Sequence, residues 1–185
     1  MDNGASSYRR FLDGDDNGLV ELIKDYKDGL TLYLCGFTDN ILTAEEAMEE
    51  VFVKLAVKKP KFSGRSSFKS WLYAIGRNTA IDFMRRSSRH KHENIDDYVA
   101  LAAEESELEK AFLIEERKIR LHSAMKELKA EHRQILWLIY FGDFSVSEAS
   151  VIMKKSKHAT ENLLYRARLS LRTKLEKEGF VYEEL

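Results

Sequence analysis

Apolar residues recur at intervals of three and four over most of this chain. Leu19, Leu22, Ile23, Tyr26, Leu30, Tyr33 and Leu34 share one face at 3.6 residues per turn and predict a first long helix. Thr43 followed by Glu46 has capping-box spacing, in which each side chain caps the other residue's backbone N–H. It opens a predicted second helix with the apolar stripe Ala44, Ala47, Met48, Val51, Phe52 and Leu55, while Glu45, Glu46, Glu49 and Glu50 take the opposite face. Residues 58–67 hold Pro60 and Gly64 and predict a loop, followed by a third helix over about 67–86. The period lapses over 87–116, where acids and small residues predict a linker at about 88–112. It returns at Ile119, Leu121, Ala124, Met125 and Leu128, then in the apolar run 135–141, with Gly142 as a stop. Ser145 with Glu148 is a second capping box, opening a short helix with Ala149, Ile152 and Met153 inside. Lys154, Lys155 and Ser156 form a tight turn, with Ser156 the N-cap of a last helix to about Lys177.

Composition narrows the class. One proline and nine glycines in 185 residues are too few for the frequent turns of a β-rich chain. The expected fold is therefore all-α: two small helical domains, 1–87 and 117–185, joined by an acidic linker at 88–116. The longest apolar run has seven residues, against about 20 needed for a membrane span. The start of the chain lacks the basic-then-apolar pattern of a secretory signal. Cys35 is the single cysteine, which excludes an internal disulfide framework and any cysteine-cluster metal site. It sits amid apolar residues and is expected in the core. His90, His92, His122, His132 and His158 do not cluster by spacing with each other or with Cys35. A cytoplasmic protein is expected, without catalytic centre, cofactor or metal.

The formal net charge is −1, but the charges are segregated. Residues 1–53 carry twelve acids and four bases, 54–92 eleven bases against Asp82 alone, 93–116 nine acids and Lys110, and 154–177 eight bases and two acids. Two basic blocks separated by an acidic one point to two cationic surfaces and a polyanionic partner. The acidic segment between them can compete with that partner or simply hold the chain extended, and the residues leave both open.

Two constellations carry the chemistry. On the third helix, Phe68, Leu72, Ile75, Thr79 and Phe83 form a core face. Ala74, Asn78, Asp82, Arg85 and Arg86 form another, with Trp71 and Arg77 at its edge. Cations, an amide and an aromatic together can neutralise phosphates, bond to base edges and stack an unpaired base. A surface ion pair of Asp82 with a core Trp71 fits the same residues. The second constellation is the helix pair at 145–154 and 156–177, joined by a short turn in the manner of a helix-turn-helix. Thr160, Leu164, Ala167, Leu171 and Leu175 would pack inward. Lys157, His158, Ala159, Glu161, Asn162 and Tyr165 would face DNA, with Arg166, Arg168 and Arg172 on phosphates. A plain helical hairpin with a basic exterior is the alternative.

Three ordered segments, TAEEAMEEVFVKLA at 43–56, FKSWLYAIGRNTAIDFMRR at 68–86 and FSVSEASVIMKKSKHATENLLYRARLSLRTKL at 144–175, resemble bacterial RNA polymerase sigma factors. The resemblance is to the small extracytoplasmic-function class, which keeps only the second and fourth sigma domains. It runs from about Leu19 to Lys177 and implies no covalent chemistry. Its acidic helix binds the clamp helices of the large subunit of core RNA polymerase, and Glu45, Glu46, Glu49, Glu50, Phe52 and Leu55 stand there. Its next helix recognises and melts the −10 promoter element, which implicates Lys69, Trp71, Arg77, Asn78, Asp82, Arg85 and Arg86. Its helix-turn-helix reads the −35 element, which implicates Lys157, His158, Ala159, Thr160, Glu161, Asn162, Tyr165, Arg166 and Arg168. Promoter DNA and core polymerase are the implied partners, with an anti-sigma factor as a further one and no membrane insertion. The chain departs from the family at Lys155, where glycine is usual in the turn, at Glu161 and Leu163, where Lys or Arg is common, and at Lys129, which replaces a common proline. A wider turn is expected from Lys155. A helix-turn-helix regulator acting without polymerase is the alternative function.

Overall fold

The structure, a computed structural model, describes residues 3–38, 40–90, 121 and 123–177. The acidic segment 93–116 and nearly all of the expected linker lie outside the described residues, as do His92 and His122. The helices are α1 (Asn3–Leu12), α2 (Asn17–Leu34), α3 (Ile41–Lys58), α4 (Phe68–His90), α5 (Ala130–Tyr140), α6 (Val146–Met153) and α7 (Lys157–Lys177). No strand occurs among the described residues. The fold is all-α.

Helices α2, α3 and α4 bury Leu22, Leu30, Leu34, Ala44, Ala47, Val51, Leu55, Phe68, Leu72 and Ala80 against one another. The approach of α4 to α2 is close enough that a Cβ at Gly76 would come within 2.8 Å of Leu30 Cδ1. Helix α1 was not predicted. It crosses α2 where a Cβ at Gly18 would stand 2.2 Å from the Ser7 carbonyl oxygen, so only glycine lets the two backbones meet. Ser7 donates to Glu21 at 2.7 Å, and Arg10 pairs with Glu21 and with Asp15.

Helix α3 begins earlier than its capping-box signal. Asn40 is the N-cap and accepts from the Thr43 backbone N–H at 2.8 Å, so Thr43 lies inside the first turn. The second predicted box forms as read: Ser145 accepts from the Glu148 N–H, and the Glu148 carboxylate accepts from the Ser145 N–H at 3.0 Å. Ser156 caps α7 through the Ala159 N–H at 3.2 Å.

Helices α5, α6 and α7 form a second group around Ile135, Leu136, Leu138, Ala149, Ile152, Leu164 and Ala167. The three-residue turn between α6 and α7 is closed by Lys154, which takes a left-handed conformation (φ 54°, ψ 45°), and by the Lys155 N–H, which donates to the Ser150 carbonyl. The turn is therefore no wider than a three-residue link, and the strained residue is Lys154 rather than Lys155. A lysine there gives up about 1 kcal/mol that glycine would not. Lys154→Gly should raise stability by roughly 0.5–1 kcal/mol, visible as a higher urea midpoint at unchanged slope.

Candidate nucleic-acid interface

The outer face of α3 is acidic and partly apolar. Glu45, Glu46 and Glu49 are exposed. Glu50 is half-covered between Lys54 at 3.0 Å and Arg86 on α4. Burial pushes its pKa up, but the hydrogen bonds and charges of Lys54 and Arg86 outweigh that, and the net shift is downward. Phe52 and Leu55, expected on this surface, are 6% and 0% exposed and pack into the core, because they lie on the side of α3 that faces α2 and α4. The apolar residues on the outer face are instead Leu42, Val53 and Val57, with 57–76% of their surface exposed. The spacing 42, 46, 49, 53, 57 puts them in one stripe with Glu46 and Glu49.

Helix α4 starts at an N-cap, Ser67, whose hydroxyl accepts from the Ser70 N–H at 3.2 Å. The preceding loop is held down by aromatics. Trp71 packs 5.2–5.3 Å from the rings of Tyr8, Phe62 and Phe68, and the Tyr8 hydroxyl donates to the Pro60 carbonyl at 2.7 Å. Burial pushes the Tyr8 pKa up to about 12. Trp71 is thus a half-buried member of a cluster, not the free stacking platform that its motif position suggested. Farther along, Asp82, Arg85 and Arg86 are exposed and Asn78 is half-buried.

On α7, Lys157, His158, Glu161, Asn162, Tyr165, Arg166 and Arg168 are exposed and Ala159 is partly so, which gives one broad outward face. Thr160 is withdrawn from it: it is 0% exposed, its hydroxyl donates to the Ser156 carbonyl, and it packs inward rather than onto the DNA-facing side. Leu163 is also buried, which accounts for the absence of a basic residue there. The His158 ring and the Asn162 amide lie 3.1 Å apart, and the Arg168 guanidinium sits 5.5 Å over the Tyr140 ring.

The two helical groups meet along α4. Lys69 donates to the Gly142 carbonyl at 2.8 Å and lies 4.7 Å over the Phe144 ring. Tyr73 packs on Phe144 and stacks on Trp137, which also packs on Tyr33. Arg133 donates to the Gly36 carbonyl at the end of α2 and to the Lys126 and Leu128 carbonyls of its own group. The capping carboxylate of Glu148 also accepts from Ser67 and Ser70 at 3.2 and 3.3 Å, so a single anion faces the N-termini of α6 and α4. No group of three or more His, Cys, Asp or Glu residues placed to hold a metal is found among the described residues.

This arrangement defines a class: a two-part helical DNA-binding protein with a helix-turn-helix in its second part. Comparison narrows it. Residues 22–90 match the family "Sigma-70 region 2" and residues 118–171 match "Sigma-70, region 4". The RNA polymerase sigma factor YlaC of Bacillus subtilis (strain 168) is 27% identical over 87% of this chain and 94% of its own. The ECF RNA polymerase sigma factor SigM of the same strain is 28% identical over 82% of this chain and 91% of its own. Among solved structures, CnrH in complex with the cytosolic domain of CnrY matches with TM-score 0.65 at 19% identity, over 95% of this chain and 96% of that one. The sigma factor RpoE of Bartonella quintana, in complex with the anti-sigma factor NepR, matches with TM-score 0.65 at 21% identity, over 84% of this chain and 95% of that one. The chain belongs to the sigma-70 family, in its extracytoplasmic-function class, and directs promoter-dependent initiation of transcription.

The Glu148 pKa has a definite consequence. Burial raises it, but the Ser145 backbone and side chain and the hydroxyls of Ser67 and Ser70 outweigh burial, and the net shift is downward from 4.5. A carboxylate with a depressed pKa contributes stability that is present above the unfolded value and lost as pH falls through the folded one. Glu148→Gln should lower the urea midpoint at pH 7 and narrow the gap between the midpoints at pH 7 and pH 3.5.

Proposed function

We propose that three surfaces divide the work of initiation. The stripe of Leu42, Glu46, Glu49, Val53 and Val57 on α3, flanked by Glu45 and Glu50, docks on the clamp helices of the polymerase large subunit. Lys69, Arg77, Asn78, Asp82, Arg85 and Arg86 on α4 engage the −10 element, with Trp71 bracing the loop before them. The outer face of α7 reads the −35 element through Lys157, His158, Glu161 and Asn162, while Tyr165, Arg166 and Arg168 hold the backbone. The observation that supports this most directly is the presence, on one chain, of two basic helices in separate helical groups, in the order the family has them. We place the domains at 1–87 and 117–185 with the acidic segment between them as spacer. The protein acts in the cytoplasm as a binding factor, with no catalytic step or cofactor of its own. An anti-sigma factor is a further partner, a reading supported by RpoE of Bartonella quintana, a protein of the same fold solved with the anti-sigma factor NepR bound. A regulator working through the helix-turn-helix alone would leave α1 to α4 without a role.

Run-off transcription with core polymerase tests the whole reading: transcripts should depend on adding this chain. For the polymerase surface, Glu49→Lys with Val53→Ser should cut core-polymerase recovery in a pull-down at least tenfold while circular dichroism is unchanged. An unaltered pull-down would remove α3 from the interface. For the −35 surface, Arg166→Ala and Arg168→Ala should each lower the slope of log affinity against log salt by about one, if each loses one phosphate contact. Lys157→Ala should instead change the preferred sequence.

A further inference from the structure

The part of α7 that points straight outward is a narrow line. Thr160, Leu163, Leu164 and Ala167 fix the buried side of the helix. At 100° per residue, the direction opposite to them runs through His158 and Asn162, then through Tyr165 a turn farther from the helix start. Lys157 and Glu161 stand to one side of that line. In a helix-turn-helix, the residues near the start of the second helix are the ones that reach base edges in the major groove. His158 and Asn162 are therefore the pair aimed most directly at the bases.

These two side chains also touch. Asn162 Nδ2 lies 3.1 Å from His158 Nε2, at i,i+4 spacing. An amide nitrogen donates and does not accept, so the bond has one polarity: the amide N–H donates and the ring nitrogen accepts. This fixes which end of the carboxamide faces the ring. It leaves Oδ1 and the second amide N–H, one acceptor and one donor, for a ligand. Of the four bases, adenine alone presents an amine donor beside an acceptor, N6 and N7, in the major groove. The held amide matches that edge with two hydrogen bonds. Guanine would set its O6 against Oδ1, acceptor against acceptor. An amide free to turn could offer both of its N–H groups to guanine, but one engaged by His158 cannot.

We propose that Asn162 reads an adenine in the −35 element, and that His158 is the positioning residue that disfavours guanine there by holding one amide N–H. The proposal rests on the reading of α7 as the −35 helix and deepens it, naming the base and the side chain that selects it.

In the test, the full chain assembled with core polymerase selects from a pool of random-sequence duplexes. Base frequencies in the enriched upstream motif are then compared among variants. In the parent, one position should favour adenine over guanine about tenfold, the discrimination of one bidentate pair. Asn162→Ala should abolish that preference and leave the other positions as they were. His158→Ala should lower the adenine-to-guanine ratio there about threefold, the effect of one neutral hydrogen bond. A merely structural role would instead weaken every position together. His158→Gln should restore the ratio, because its amide oxygen can accept from Asn162 at the same spacing. Both residues are exposed, so circular dichroism should be unchanged in each variant. An unchanged ratio in His158→Ala would overturn the role of the imidazole. Unchanged preferences in Asn162→Ala, for a motif that the parent enriches, would overturn this proposal and leave α7 as the −35 helix. A parent that enriches no upstream motif would overturn the reading of α7, and this proposal with it.

Discussion

Helix α4 is buried from two sides, and both helical groups are built against it. One side carries Phe68, Leu72, Thr79 and Ala80 into the core with α2 and α3. The other carries Ser70 and Tyr73 against α5 and α6, around a carboxylate that caps α6 and faces the start of α4. The first burial is apolar and well matched. The second combines three aromatics with charged donors and orphaned polar atoms. Burying a large apolar side chain contributes roughly 1.5–3 kcal/mol, whereas each unsatisfied buried polar group costs about 1–3 kcal/mol. Tyr73, Phe144 and Trp137 supply the gain there, and Tyr33, Arg77 and Gln134 set a cost against it.

The placement of the surfaces fits that division. The acidic and apolar stripe of α3 and the basic face of α7 point away from the contact and are available in the arrangement seen. The start of α4, where Lys69 and Ser70 lie, is instead covered by the second helical group. Two of its cations already have partners: Lys69 the Gly142 carbonyl, Arg86 the Glu50 carboxylate and the Phe83 ring at 5.8 Å. Phosphates would replace these partners rather than meet bare charges.

Much of this was legible in the residues, and the misses have local causes. Helices α2, α3, α4 and α7 follow from apolar period, and the Ser145–Glu148 box and Ser156 cap form as their spacing says. Helix α1 went unseen because Gly4, Ala5, Ser6 and Ser7 give no apolar period, leaving Tyr8 and Phe11 as its anchors. The outer stripe of α3 is ambiguous in the sequence because Val51, Phe52 and Val53 are consecutive apolar residues. A 100° step per residue decides between core and surface, and only the packing of α2 and α4 makes that choice. For Thr160 the helical period and the family resemblance point to opposite faces, and it is buried inward. The bonds of Lys69 to Gly142, Arg133 to Gly36 and Ser70 to Glu148 join residues 73, 97 and 78 positions apart, which no local pattern encodes.

The central claim is that separate faces of one chain meet polymerase and promoter. Photo-cross-linkers placed at Val53 of α3 and Tyr165 of α7, 57% and 69% exposed, would be activated in the complex with core polymerase and a promoter duplex. The account predicts cross-links from Val53 to the polymerase large subunit and from Tyr165 to DNA. Cross-links from Val53 to DNA, or none from Tyr165 to DNA, would contradict it.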